Sequence, residues 1–140
     1  MKNYFSINSM ITPITTLFFS IIAASPSAFA MADPGIGSYT IAVPDEVESH
    51  IVKEEADNAV YYKFKKADGS TAFLFSIQRV SYEQWSVVRE QLHNIKLLGQ
   101  HDNRIYFAQR TERTSMRGPD KEQYDMVMNQ LDEIIKSIRF

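Results

Sequence analysis

The sequence predicts an α+β domain in which a central antiparallel sheet of five or six strands is flanked by two main helices. Three observations predict it. Period-two apolar patterns recur over 60–79 and 95–110, two segments over 82–94 and 120–138 carry helical apolar spacing, and Asp68-Gly69 supplies a hairpin turn between strands.

The chain opens with what reads as a cleavable secretory signal peptide, residues 1–30. Lys2 is its only charge, and an unbroken apolar stretch runs from Leu17 to Ala24. A membrane span needs ~20 apolar residues. This stretch is shorter, and Pro26 follows it closely. Ala28 and Ala30 place small side chains where a signal peptidase reads them, so cleavage is expected between Ala30 and Met31; Ala30-Met31-Ala32 fits as well, with the cut after Ala32.

Removing residues 1–30 leaves 110 of the 140, with 14 Lys and Arg against 17 Asp and Glu. That length suits one domain and buries enough surface to fold without staples. There is no cysteine, which excludes a lipid-attachment thiol, disulfides, thiolate metal sites and a cysteine nucleophile. The expected product is soluble, periplasmic or secreted, with no stable membrane anchor after cleavage.

Residues 31–38, with Pro34, Gly35 and Gly37, read as a flexible lead-in, and the domain is expected to span 39–140. Tyr39, Ile41 and Val43 alternate as a short strand that Pro44 ends. Six acids between Asp45 and Asp57 suggest a turn, possible as a helical one, and then a weak edge strand over 50–55. Asp57-Asn58 turns the chain into a strand with Val60, Tyr62 and Phe64 on its buried side. After Asp68-Gly69, residues 71–79 form a central strand, expected to place Phe73, Phe75 and Ile77 on one face and Ala72, Leu74 and Ser76 on the other.

Ser81 and Gln84 have capping-box spacing, and Trp85, Val88, Leu92 and Ile95 follow at helical intervals, with the helix ending near His93 or Asn94. Residues 95–99 and 104–110 form a second hairpin turned through His101, Asp102 and Asn103. After a polar loop over 111–119, Asp120 and Gln123 repeat the capping-box spacing. The last helix buries Tyr124, Val127, Met128, Leu131, Ile134, Ile135 and Ile138, with Lys136 and Arg139 where the helix dipole favours cations.

Several words in this order carry a resemblance: Ile41-Ala42-Val43-Pro44, Leu74-Phe75-Ser76-Ile77 ahead of a helix with Trp85, Leu97-Leu98-Gly99, Tyr106-Phe107, and a closing helix with Tyr124, Val127 and Met128 that ends Ile134-Ile135-x-Ser137-Ile138. Over residues 39–140 the chain resembles small secreted bacterial domains of the PsbP-like α/β/α sandwich class. The resemblance implies helices flanking a central antiparallel sheet and, since that class includes accessory subunits of photosynthetic water oxidation and a nuclear GTPase-binding protein, docking to other macromolecules. Two departures stand out. Val47 occupies a position associated with an aromatic, and the loop before the last helix is arginine-rich where related domains carry Thr-Asp.

Catalysis by histidine needs a positioned partner, and His50, His93 and His101 fall in an acidic segment, at a helix end and in a turn. No H-E-x-x-H, G-x-S-x-G or phosphate-cradling glycine loop occurs, so neither a catalytic role nor a cofactor or metal is expected. Glu54 and Glu55 are adjacent on a strand and point to opposite faces, as in a charged edge that discourages edge pairing. Arg110, Arg113 and Arg117 could fork onto an anionic partner, or simply decorate a solvated loop. The net negative charge argues against nucleic acid. Trp85, with Tyr82, offers either an aromatic anchor for a partner or core packing.

The expectation is therefore an exported, non-catalytic binding domain that docks to an envelope or extracellular protein. Two alternatives stay open: a small-ligand carrier with an apolar pocket lined by aromatics such as Phe73, Phe75 and Phe107, and an inhibitor or immunity-type protein acting on a cell-wall hydrolase.

Overall fold

A computed structural model describes residues 35–140. The signal segment, with Ala28, Ala30 and Met31, lies outside the described residues. In chain order come α1 (Asp45–Glu48), β1 (Ile51–Ala56), β2 (Ala59–Lys65), β3 (Thr71–Ser81), α2 (Tyr82–Gln91), β4 (Ile95–His101), β5 (Arg104–Arg110), a 3-10 turn (Gly118–Asp120) and α3 (Lys121–Lys136). The five strands form one sheet in the order β1-β2-β3-β5-β4, every neighbour antiparallel. This is an α+β fold.

Turn chemistry sets the hairpins. Gly69 takes φ 90°, and the Asp68 carboxylate accepts from the Ser70 backbone N–H at 2.8 Å and its hydroxyl at 2.6 Å. Asp102 and Asn103, with φ 50° and 61°, make the two-residue link from β4 to β5 that a primed turn requires. Asn and Asp tolerate this region because their short side chains hydrogen-bond locally.

α3 has one continuous apolar face, and it is buried: Tyr124, Val127, Met128, Leu131, Ile134 and Ile135, extended by Ile138. It packs on the sheet face carrying Val60, Tyr62, Phe64, Phe75 and Ile77. Tyr124 meets Phe64 edge-on at 5.3 Å, and Tyr62 stacks on Phe75 at 4.6 Å, geometries that aromatic quadrupoles favour. α2 approaches the opposite face, where Trp85 lies 5.3 Å from Phe107. Its Ser81–Gln84 capping box is complete, with both reciprocal bonds formed, but none of its residues is fully buried.

The structure departs from the sequence reading in five places. Residues 39–43 are not a strand. Their one bridge joins Thr40 to Arg139, because this segment meets the chain after α3 and not the sheet. The packed chain begins before Tyr39, since Ile36 is only 1% exposed within the core. A register shift corrects the faces of β3: Tyr62 pairs with Phe75 but Lys63 pairs with Phe73, so Leu74 is the extra residue of a bulge. Leu74 therefore joins Phe75 and Ile77 in the core, while Phe73 turns to the other side. The first long helix stops at Gln91, short of His93, and Asn94 reverses the chain at φ 57°. Finally, Asp120 does not cap α3. The preceding 3-10 turn holds its backbone in helical geometry, and its carboxylate accepts from the Ala67 N–H at 2.8 Å, tying α3 to the β2–β3 loop.

Candidate functional site

The face of the sheet opposite α3 is covered only in part. Strand pairing fixes which side chains share it: Glu54, Tyr61, Ser76, Gln109 and Ile95 form one row across all five strands, and Val52, Lys63 and Phe73 form the next. Lys63 donates to the Glu54 carboxylate at 2.9 Å, which neutralises both charges at the edge. Ser76 is fully buried, and its hydroxyl accepts from Gln78 Nε2 at 2.8 Å. The same amide reaches Gln109 Oε1 at 3.3 Å. Val52 and Phe73, each 37% exposed, border this satisfied polar centre with large apolar side chains that no helix among the described residues covers. Arrayed together are an apolar rim, a polar centre and a self-paired charge, all on a rigid sheet.

The arginine loop lies elsewhere, along the flank of α3. Arg110 pairs with Asp132, Arg113 donates to Asn129 Oδ1 at 2.7 Å, and the Thr114 hydroxyl is 3.3 Å from that of Tyr124. Successive loop residues thus meet positions progressively earlier on the helix, so the loop runs antiparallel to α3 as a strap. Arg117 is exposed, and its side chain has no hydrogen bond or ion pair among the described residues. Trp85 is half-buried against Phe107, and Tyr82 beside it is 43% exposed.

The histidines are dispersed. His50 accepts through its carbonyl from Lys65 N–H and lies at the Thr71 end of β3, whereas His101 belongs to the row of Ser81 and Arg104 at the other end. Ten positions of strand separate those rows, roughly 33 Å at ~3.3 Å per residue. His101 sits 3.2 Å from the Asp102 carboxylate on an exposed turn, and His93 is exposed beyond α2. Glu54 and Glu55 diverge to opposite faces, paired with Lys63 and Lys53 respectively. No group of three or more His, Asp or Glu among the described residues could hold a metal ion. Phe73, Phe75 and Phe107 do not line a common pocket: Phe75 is sealed on the α3 face, Phe107 is sealed on the other, and Phe73 is exposed.

Three ionisation shifts follow from local contacts. Burial, helped by the 2.6 Å hydrogen bond to the Tyr39 hydroxyl, pushes the Tyr62 phenol far above its ordinary value. The Glu55 carboxylate raises Lys53, and the hydrogen bonds from Ser70 lower Asp68.

Sequence reasoning missed the open face because it placed Phe73 on the same side of the strand as Phe75 and Ile77. A signal was present. Ser76, Gln78 and Gln109 put polar side chains on one face of two adjacent interior strands, and a face carrying them is one that the described helices do not fully cover. No helix among the described residues is long and apolar enough to cross a membrane. Comparison with protein-family models, curated proteins and solved structures finds no match to this chain.

Proposed function

We propose that this chain is an exported, non-catalytic binding domain that docks to another envelope or extracellular protein through the open half of the sheet's second face. One observation carries the reading: Val52 and Phe73 stand exposed on either side of Lys63, in one row of a sheet face that α2 leaves bare. Exposed apolar side chains around hydrogen-bonded polar groups have the make-up of a protein interface, whose centre is depleted in free charge. Trp85 and Tyr82 border the same face and extend it toward α2. The order of elements supports a place in the PsbP-like class, and residues 1–30 support export to the periplasm or beyond the cell.

The test is recovery of a partner from the native envelope fraction on the tagged full chain, beside Val52→Glu with Phe73→Glu. Both positions are exposed, so the double variant should fold like the wild type. A stoichiometric partner held by the wild type and lost by the variant is expected. Equal recovery by both, or no stoichiometric partner on the wild type, overturns the proposal.

A further inference from the structure

At the Ser81 end of the sheet the α3 face is met not by the helix but by residues 36–38 and 138–140, and a cleft of about 830 Å³ opens between them. Its floor is set by strand register. Arg79, Tyr106 and Gly99 are neighbours on β3, β5 and β4, and His101 lies in the row beyond. Gly99 has nothing within 4 Å of where a Cβ would stand, so the absent side chain leaves the floor open. Leu98, Ile138 and Phe140 line the rest, with the Phe140 ring 4.3 Å from that of Tyr106.

The two arginines of this cleft are held by neutral oxygens. Arg79 donates from Nε and Nη2 to the neutral Asn58 amide oxygen, at 3.3 and 3.0 Å. Arg139 donates from Nη1 to the carbonyls of Lys136 and Ile138, at 2.6 and 2.7 Å. Neither guanidinium has a carboxylate partner among the described residues. Asp102 is the one carboxylate side chain of the lining, and it stands against His101. Neutral oxygens thus orient both guanidiniums and leave donors free: Nη1 of Arg79 and Nε and Nη2 of Arg139 make no hydrogen bond among the described residues. A carboxylate or phosphate would complete them, since fork-shaped donors match both geometries.

We propose that this cleft binds a small organic anion, a carboxylate or phosphate group on an apolar stem, with Arg79 and Arg139 holding the anionic head and Leu98, Ile138 and Phe140 receiving the stem. The volume falls in the ~300–1,000 Å³ range of small-molecule sites. The cleft lies on the α3 side of the sheet, so this inference is separate from docking through the opposite face.

Isothermal titration of the full chain with hexanoate, phenyl phosphate, inorganic phosphate and hexylammonium tests it. Hexanoate or phenyl phosphate should bind, and comparison of the two assigns the head group. Inorganic phosphate should bind at least about tenfold more weakly, for want of a stem, and hexylammonium not at all. Arg79→Gln with Arg139→Gln should weaken the preferred anion about tenfold or more. Gly99→Leu fills the floor where there is open space; it should block binding while leaving the unfolding midpoint near that of the wild type, which keeps the test independent of any folding defect in the arginine variant. No binding of either amphipathic anion up to about 10 mM, equal binding of inorganic phosphate, or wild-type affinity in Gly99→Leu overturns the inference.

Discussion

The two faces of the sheet are built from the same five strands but are closed by different means. On one, α3 lays six buried side chains across Val60, Tyr62, Phe64 and Phe75, and the strap of residues 110–114 fastens the helix along its flank. On the other, α2 brings only half-buried side chains, and beyond Trp85 and Phe107 the sheet is finished with Ser76, Gln78 and Gln109 in place of a helix. A helix can satisfy every backbone group of its own and still contribute little core. α2 has the complete capping box and no fully buried residue, whereas α3 has no side-chain cap and six buried side chains. Burial outweighs capping because a cap is worth ~1 kcal/mol and a buried aromatic or branched side chain ~1.5–3.

The largest expected effect lies on the closed face. Phe64→Ala removes a ring packed against Tyr124 and should cost about 3–5 kcal/mol, read by denaturant unfolding. A loss below about 1 kcal/mol would mean that this face is not the core. Trp85→Ala should cost roughly half as much, because the ring is only half-buried; a loss as large as that of Phe64→Ala would break the contrast between the faces. Ser81→Ala should cost about 1 kcal/mol by freeing a backbone donor at the start of α2, with the loss confined to amide exchange in that helix.

A pH series sharpens the contrast differently. The Tyr62 phenol is raised in the folded state above its ordinary 10.0, so its contribution is fully present below that pH and is lost as pH rises toward the folded value. Stability should therefore fall above about pH 10, and Tyr62→Phe should flatten that slope. An unchanged slope would remove Tyr62 from the account. The smallest effect belongs to the open face: Phe73→Ala should cost no more than about 1 kcal/mol of stability while weakening partner recovery. A loss of several kcal/mol would show that Phe73 belongs to the core after all.

Local pattern made much of the fold legible. The period of α3 marks its buried residues one by one, the Asp68-Gly69 pair marks a hairpin, and Ser81 with Gln84 marks a helix start. Each is decided by neighbours within a turn or two of chain. The candidate surfaces were less legible. The Arg110–Asp132 and Arg113–Asn129 contacts join residues 22 and 16 positions apart, and the cleft gathers Ile36, Arg79, His101 and Arg139 from four segments. The same spacing that marked Ser81 also marked Asp120, whose carboxylate went to Ala67 once the 3-10 turn had set its backbone.

By itself, then, the sequence determined the α+β class, the main hairpins and the buried stripe of α3, because period, turn residues and apolar content act locally. Only the tertiary structure decided which sheet face is left open, that Leu74 is buried while Phe73 is exposed, and that Thr40 pairs with Arg139 and not with the sheet. The physical reason is that a one-residue bulge reverses side-chain direction for everything beyond it, and a register is chosen by the energy of the whole sheet and its covering helix, not by either strand alone.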